Sequence, residues 1–455
     1  MVLVKLAHSL DLPEIRNRIA GFLSKSDCIS CMQVSKDWFK DFAGLVWNLM
    51  SCHKDDSFSR IPSAVVFKYG HFIRHIKHLS QGNDIMVLQD ANVTKLKCLE
   101  FFVTDSRLSM ALFLDLARRN RGTLTSLELS SMTSRPERHE KREEGVYLPL
   151  GAFGLGSSLT ELSLCDVCVT RDAFSSMLQS CPSLQDLSLW KTMVVAYTPS
   201  LQLFRHHGLK SLSASFSQVQ LFDRMPSASP SILVHFPSLE TWKIKSSYFP
   251  PSSKDIMELK VILRLNCPRL KRVDFLDENA EFITEFCDNA FDRLESCSFR
   301  YKEMSPTVML SLLEHQTSLT SIVMTAFYDT PSLIMGDNVA KAKKTIVFLL
   351  RSVPHLQYLS AKEHRMDVSL MEGHELACCD TLKELRVRFS GLRTAAAVDN
   401  CLRKLSAGKT AGASPTVRSD EGGELIGEHI CCQLMRFKKL KTIWLGTKDY
   451  YLPTQ

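Results

Sequence analysis

The chain has 455 residues, 45% hydrophobic and 23% charged, with a net charge of +7 and a mean hydropathy of −0.05. That composition builds a large core, and the length exceeds one ordinary domain, so two modules or a repeat array are expected. The charge is too mild to call for nucleic acid. No uncharged apolar run approaches the ~18 residues of a membrane helix, and the opening "MVLVKLAHSLDLP" lacks the pattern of a signal peptide.

The first elements crowd into residues 10–47. Pro13 suits a first helical position and Ile15, Ile19 and Phe22 share one face, which predicts a helix over 13–23. Asp27 then caps a second helix carrying Ile29, Met32 and Val34. Lys36, Trp38, Phe39, Phe42, Leu45, Val46 and Trp47 come next. About forty residues cannot bury so many large side chains among themselves, because so small a unit has too much surface for its volume. The segment is either an N-terminal cap on the rest of the chain or a docking module.

Leu12-Pro13-Glu14-Ile15, then Ile19, Leu23, Asp27, Val34, Lys36 and Trp38 resemble the F-box, departing from it only at Ile29 and Ser35. The resemblance implies docking on the Skp-family adaptor of a cullin-RING ubiquitin ligase, and through it on the cullin and RING subunits. Leu12, Pro13, Ile15, Ile19, Leu23, Val34 and Trp38 would supply the adaptor-facing surface or hold its helices in place. Trp47 either joins them or packs on the first repeat.

The remainder repeats. Leu-x-x-Leu-x-Leu variants begin at 96, 124, 159, 184, 209, 239, 270, 294, 319, 356, 382 and 440, with "IRHIKH" at 73 as a degenerate first copy. The commonest spacings, 24 to 31 residues, are those of leucine-rich repeats. Between strands the pattern turns helical. In "TRDAFSSMLQSCPSL", Phe174, Met177, Leu178 and Cys181 share a face and Pro182 ends the helix; "FPSL", "CPRL" and "VPHL" repeat that stop. The punctuation resembles the cysteine-containing repeats that accompany F-boxes.

The expected fold is therefore α/β: a three-helix F-box over 9–50, a linker and degenerate repeat over 51–95, about twelve repeats over 96–446 and a tail over 447–455. The repeats would form a curved solenoid with parallel strands on the concave face and helices on the convex one. "SRPERHEKREEG" reads as a solvated loop. "YDTPSLIMGDNVAKAKK" reads as a lengthened loop and helix. The long step after 382 hides either an eroded repeat or the flexible run "SAGKTAGASPTVRSDEGGE".

Chemistry is sparse. "AGKT" lacks the first glycine of a phosphate-binding loop, since residue 403 is Arg, and Cys28/Cys31 and Cys165/Cys168 have no second ligand pair. Fifteen Cys in apolar contexts fit a reducing compartment, cytoplasmic or nuclear. No cofactor, metal or catalytic residue is expected, and no nucleic-acid or membrane partner.

What remains is the strand face, where residues alternating with the leucines point outward. The first five repeats place Glu100, Glu128, Glu161, Asp186 and Trp190 there. From 239 onward it gathers Lys243, Lys245, Arg272, Arg300, Lys362, Arg386 and Arg388 against Asp274 and Glu384. The expectation is a non-catalytic substrate receptor of an SCF-type ubiquitin ligase, whose basic half receives an acidic or phosphorylated substrate segment with Trp190 as an aromatic anchor. The alternative is a repeat scaffold unconnected with ubiquitin.

Overall fold

In a computed structural model the structure describes residues 12–52, 61–103, 107–131, 156–195, 204–215, 232–245, 253–276, 280–301, 305–326, 337–389, 401–403, 405, 424–445 and 448–451. The charge run after 134, the "AGKT" segment and most of the 390–423 stretch lie outside them. The chain divides into two compact units, 1–213 with 218–238, and 214–217 with 239–455.

The first unit starts with three helices, α1 Pro13–Ala20, α2 Lys25–Met32 and α3 Lys36–Asn48. They lead into strands β1 Leu49–Ser51, β2 His75–Leu79, β3 Cys98–Val103, β4 Ser126–Ser131, β5 Glu161–Cys165, β6 Cys168–Thr170, β7 Asp186–Trp190, β8 Met193–Val195 and β9 Ser211–Ser215. Its main ladder is parallel in the order β1-β2-β3-β4-β5-β7-β9, with β6 and β8 pairing separately. The second unit holds β10 Thr241–Lys245, β11 Arg272–Phe275, β12 Ser296–Tyr301, β13 Ser321–Ala326, β14 Tyr358–Met366, β15 Glu384–Phe389, β16 Thr442–Leu445 and β17 Lys448–Tyr451. These are parallel in chain order except β17, which turns back antiparallel on β16.

Each of the twelve leucine motifs is a strand of these ladders, and the degenerate copy at 73 supplies β2. The leucine positions face the core: Leu96, Leu99 and Phe101, or Leu382, Leu385 and Val387, are fully buried. The intervening helices cover it. Phe174, Met177, Leu178 and Cys181 are buried along the helix Arg171–Ser180, which ends two residues before Pro182. Before "FPSL" the described residues hold the single turn Ile232–His235. Phe286 is an aromatic hub of the second unit, 5.5 Å from Trp242, 5.2 Å from Phe282 and 6.0 Å from Phe275 between ring centres. Burial pushes the thiols of Cys267, Cys287 and Cys378 up to about 12, so these are packing groups rather than nucleophiles.

Two expectations are revised. The first helix stops at Ala20, three residues early, and Phe22 is left 88% exposed in the turn beyond it. The cap of the second helix is Ser24, whose hydroxyl accepts from the Asp27 amide; Asp27 sits at the third helical position and accepts from the Ser24 amide, closing a reciprocal box. Of the two alternatives left open after 382, the pairing of Glu384, Leu385 and Arg386 directly with Thr442, Ile443 and Trp444 leaves no strand between β15 and β16 among the described residues.

Polar residues tie each turn to the next strand. Asn120 is 1% exposed; its Oδ1 accepts from the Leu96 amide at 2.8 Å and its Nδ2 donates to the Val93 and Leu116 carbonyls at 2.9 Å each. His206 does the same work a few repeats on: its Nδ1 accepts from the Leu209 amide, which leaves Nε2 as the donor to Cys181 O at 2.9 Å. Removing such a group strands buried backbone partners at a cost of ~1–3 kcal/mol. Asn120→Ala should therefore lower the stability of the first unit by about 2–3 kcal/mol, read as a lower urea midpoint at unchanged slope.

Candidate functional site

Two surfaces bring together the residues singled out in the sequence. The first is the helical module. Ala20, Cys28 and Phe42 form its small core, with Leu23, Cys31, Met32, Trp38 and Val46 packed around it. Trp38 lies flat on Phe42, with ring centres 5.3 Å apart and planes 5° from parallel. The Arg16 guanidinium, almost wholly buried, ties α1 to α3 through Asp41 at 2.5 Å. Hydrogen bonds from Ser24 hold the Asp27 carboxyl below its usual range and fix the start of α2.

Of the seven named positions, Leu12, Pro13 and Val34 are exposed, Ile15 and Ile19 half-buried, and Leu23 and Trp38 half-buried against the module's own core. Phe22 at 88% exposure and Ile29 at 45% add to the uncovered apolar surface, and the sequence marks neither for that role. The helical register expected for Phe22 is abandoned at Gly21.

Trp47 faces the other way. It stacks on Tyr69 at 5.3 Å, where Phe39 also packs at 5.6 Å, and the Arg74 amide donates to Asn48 O at 3.0 Å. The helix α3 runs straight into β1, which pairs with β2. The helical module is thus mounted rigidly on the first strands, with its uncovered apolar groups elsewhere.

The second surface is the strand face. In the first unit it is small and acidic: Ser126, Ser163, Ser188 and Ser211 alternate with Glu100, Glu128, Glu161 and Asp186, and Trp190 stands 37% exposed at the end of β7. Glu100 and Glu128 are register partners, and His78 Nδ1 lies 2.9 Å from Glu100. Burial pushes the Glu100 carboxyl up, His78 opposes that and Glu128 adds to it.

In the second unit the face is basic and aromatic. Arg386 lies over the Tyr358 ring at 5.6 Å and reaches Glu384 at 3.4 Å; Lys362 and Arg388 approach the Trp444 ring at 5.6 and 5.8 Å. Arg272 stands apart from that group, bonded to Asp274 at 3.0 Å within its own strand, and Lys243 is the register partner of the same Asp274. The side chains of Lys245 and Arg300 lie outside the described ones. Among the described residues no three His, Cys, Asp or Glu side chains converge as metal ligands, and no helix is long and apolar enough to cross a membrane.

The family model described as "FBD-associated F-box protein At5g56370, LRR repeats" matches residues 87–327. That is just over half of the chain, and the chain belongs to this family of F-box proteins with leucine-rich repeats. At that general level it is a ubiquitin-ligase substrate receptor, a class that is typically non-catalytic. No curated protein matches the sequence. The crystal structure of the Rad7 and Elc1 complex in yeast aligns over 85% of this chain and 94% of that one, with 14% identity and a TM-score of 0.32.

Burial separates the module's own scaffolding from its free surface. Asp41→Ala leaves a buried guanidinium without its carboxylate and should cost about 3 kcal/mol or more. Phe22→Ala should stay within about 0.5 kcal/mol of the parent. Thermal unfolding of the two variants checks the contrast.

Proposed function

We propose that the chain is the substrate-recognition subunit of an SCF-type ubiquitin ligase, with the helical module docking on a Skp-family adaptor and the strand face holding a protein substrate. The observation that carries this reading is the uncovered apolar set of the three helices, Leu12, Phe22, Ile29 and Val34, at 45, 88, 45 and 64% exposure. A unit with a core as small as Ala20, Cys28 and Phe42 does not leave such groups in water without a partner's surface to place them on. Pro13, Ile15 and Ile19 flank that set and would face the adaptor, while Leu23 and Trp38 hold the helices in the docking geometry.

The receptor performs no bond chemistry in this reading. It supplies proximity: adaptor, cullin and RING subunits bring the charged ubiquitin-carrying enzyme to a substrate that the repeats hold in place, converting an encounter of separate molecules into an effectively intramolecular one. The Trp47–Tyr69 stack and the α3–β1 junction suit that role, because they leave little freedom between the docking helices and the first strands. The basic strand face of the second unit favours an acidic substrate segment, and the site of action would be cytoplasmic or nuclear.

Charges placed on the exposed apolar set test the assignment without touching the core. Phe22→Asp with Val34→Asp should cost at least about 100-fold in affinity for the Skp-family adaptor, the loss of two interface anchors, while the melting temperature stays put. Unchanged copurification of the adaptor would favour the scaffold reading, in which these helices merely cap the repeats.

A further inference from the structure

The helix Ser253–Asn266 of the second unit is apolar on two opposite faces. Ile256, Leu259 and Leu263, at most 5% exposed, form the buried one. Met257, Val261 and Leu265 follow one another at i, i+4 and i+8 on the other side and stand 55, 57 and 73% exposed. That spacing draws a continuous ridge about 12 Å long. Single exposed leucines are ordinary, but a helix that is apolar all round is one that lies between two packed surfaces. The repeats supply one of those surfaces, and among the described residues none supplies the other.

The charges beside the ridge decide what covers it. Lys254 is taken up by Glu258 of the same helix at 4.0 Å, and Lys260 and Arg264 both turn to Asp292, at 3.1 and 3.9 Å. Asp292 lies just past the neighbouring helix Ala280–Ala290, which buries Phe282, Ile283, Phe286 and Cys287 and sets Glu281, Glu285 and Asp288 along its outer side. Among the described residues no cation lies within ion-pair distance of Glu285 or Asp288. The two helices together carry three Lys or Arg against five carboxylates, in a chain whose net charge is +7. An apolar ridge thus runs beside an acidic one in an otherwise basic molecule.

We propose that these two helices form a docking surface for a basic amphipathic helix of a partner protein, its apolar side on Met257, Val261 and Leu265 and its Lys or Arg residues toward Glu281, Glu285 and Asp288. Apolar anchors one turn apart are the form in which an amphipathic helix meets a helical surface, and the net negative field beside them draws a positive partner in. The same charges rule out other covers. A second copy seated on the ridge would bring the acidic helix toward its own copy, and three side chains fall well short of the ~800 Å² that a stable dimer buries on each partner. An anionic lipid surface would be repelled by the carboxylates. The surface belongs to the helices and not to the strand face, so it is separate from the site proposed for substrate and stands whether or not the chain docks on a Skp-family adaptor.

The test uses the full chain and two fluorescein-labelled amphipathic peptides that share one helical leucine pattern, the first with lysine and the second with glutamate at every remaining position. Fluorescence anisotropy should show the lysine peptide bound at least about 10-fold more tightly than the glutamate peptide. Val261→Asn and Leu265→Asn should each weaken the lysine peptide about 10-fold, the scale of one buried aliphatic side chain. Both variants should melt with the parent, because the replaced side chains stand in water. Glu285→Lys combined with Asp288→Lys should turn the preference toward the glutamate peptide. Equal binding of the two peptides, or binding of the lysine peptide that is indifferent to all of these substitutions, overturns the inference. So does a concentration-dependent dimer that Val261→Asn dissolves, or adsorption to phosphatidylserine–phosphatidylcholine vesicles that Leu265→Asn abolishes.

Discussion

Every feature of the strand faces depends on one backbone arrangement repeated from motif to motif. In the first unit the carbonyl of the second residue of a motif accepts from two consecutive amides of the next: Lys97 O from Thr125 and Ser126, Thr125 O from Thr160 and Glu161, Thr160 O from Gln185 and Asp186, at 2.8–3.0 Å. The second unit repeats the device from Glu240 O through Lys271, Glu295, Thr320 and Gln357 to Lys383 O. A carbonyl has two lone pairs, so this pairing pins the start of each strand against its predecessor and forbids slippage. A slip of one residue would turn every leucine outward and every charged residue inward. Thr125, Thr160 and Thr320 reinforce it, each hydroxyl donating to the carbonyl of the preceding motif at 3.0 Å.

With register fixed, function becomes a matter of which side chains occupy the outward positions. The repeats enclose no reactive cluster among the described residues, and their buried thiols are held protonated by desolvation. What they offer is a patterned surface, with serine and carboxylate in the first unit and cations on aromatic rings in the second. The helical module offers the complementary thing, apolar groups that its own small core cannot absorb. Trp47 and Tyr69 join that module to the first strands, so an adaptor seated on the helices would hold a defined orientation to the face that begins at β1.

The sequence made the ladder legible because burial enforces it: Leu99, Leu127, Leu162 and Leu187 are all at most 2% exposed, and a motif under that constraint survives uneven spacing. Leu12, Pro13 and Val34 carry the F-box resemblance in the sequence and stand exposed, whereas Leu23 and Trp38, named with them, pack on the module's own core. Other features were not readable. Asn120 looks like any asparagine before a turn, and only its three buried partners mark it. Ser24 and Asp27 are both competent caps, and the choice falls to the reciprocal hydrogen bonds. The strand pattern gives outward charges one strand at a time, but Lys362 and Arg388 meet over Trp444 across gaps of 82 and 56 positions, through a bulge that no local pattern announces. The antiparallel return of β17 on β16 gave no motif at all.

Hydrogen–deuterium exchange of the full chain, alone and saturated with a Skp-family adaptor, tests most directly whether the uncovered helices are the docking surface. The account predicts that slowing of exchange is concentrated within residues 12–48, at the turn around Phe22 and the α2–α3 junction around Val34, with the strands from β10 onward unchanged. Protection centred on the repeats with 12–48 exchanging as in the free chain would contradict it.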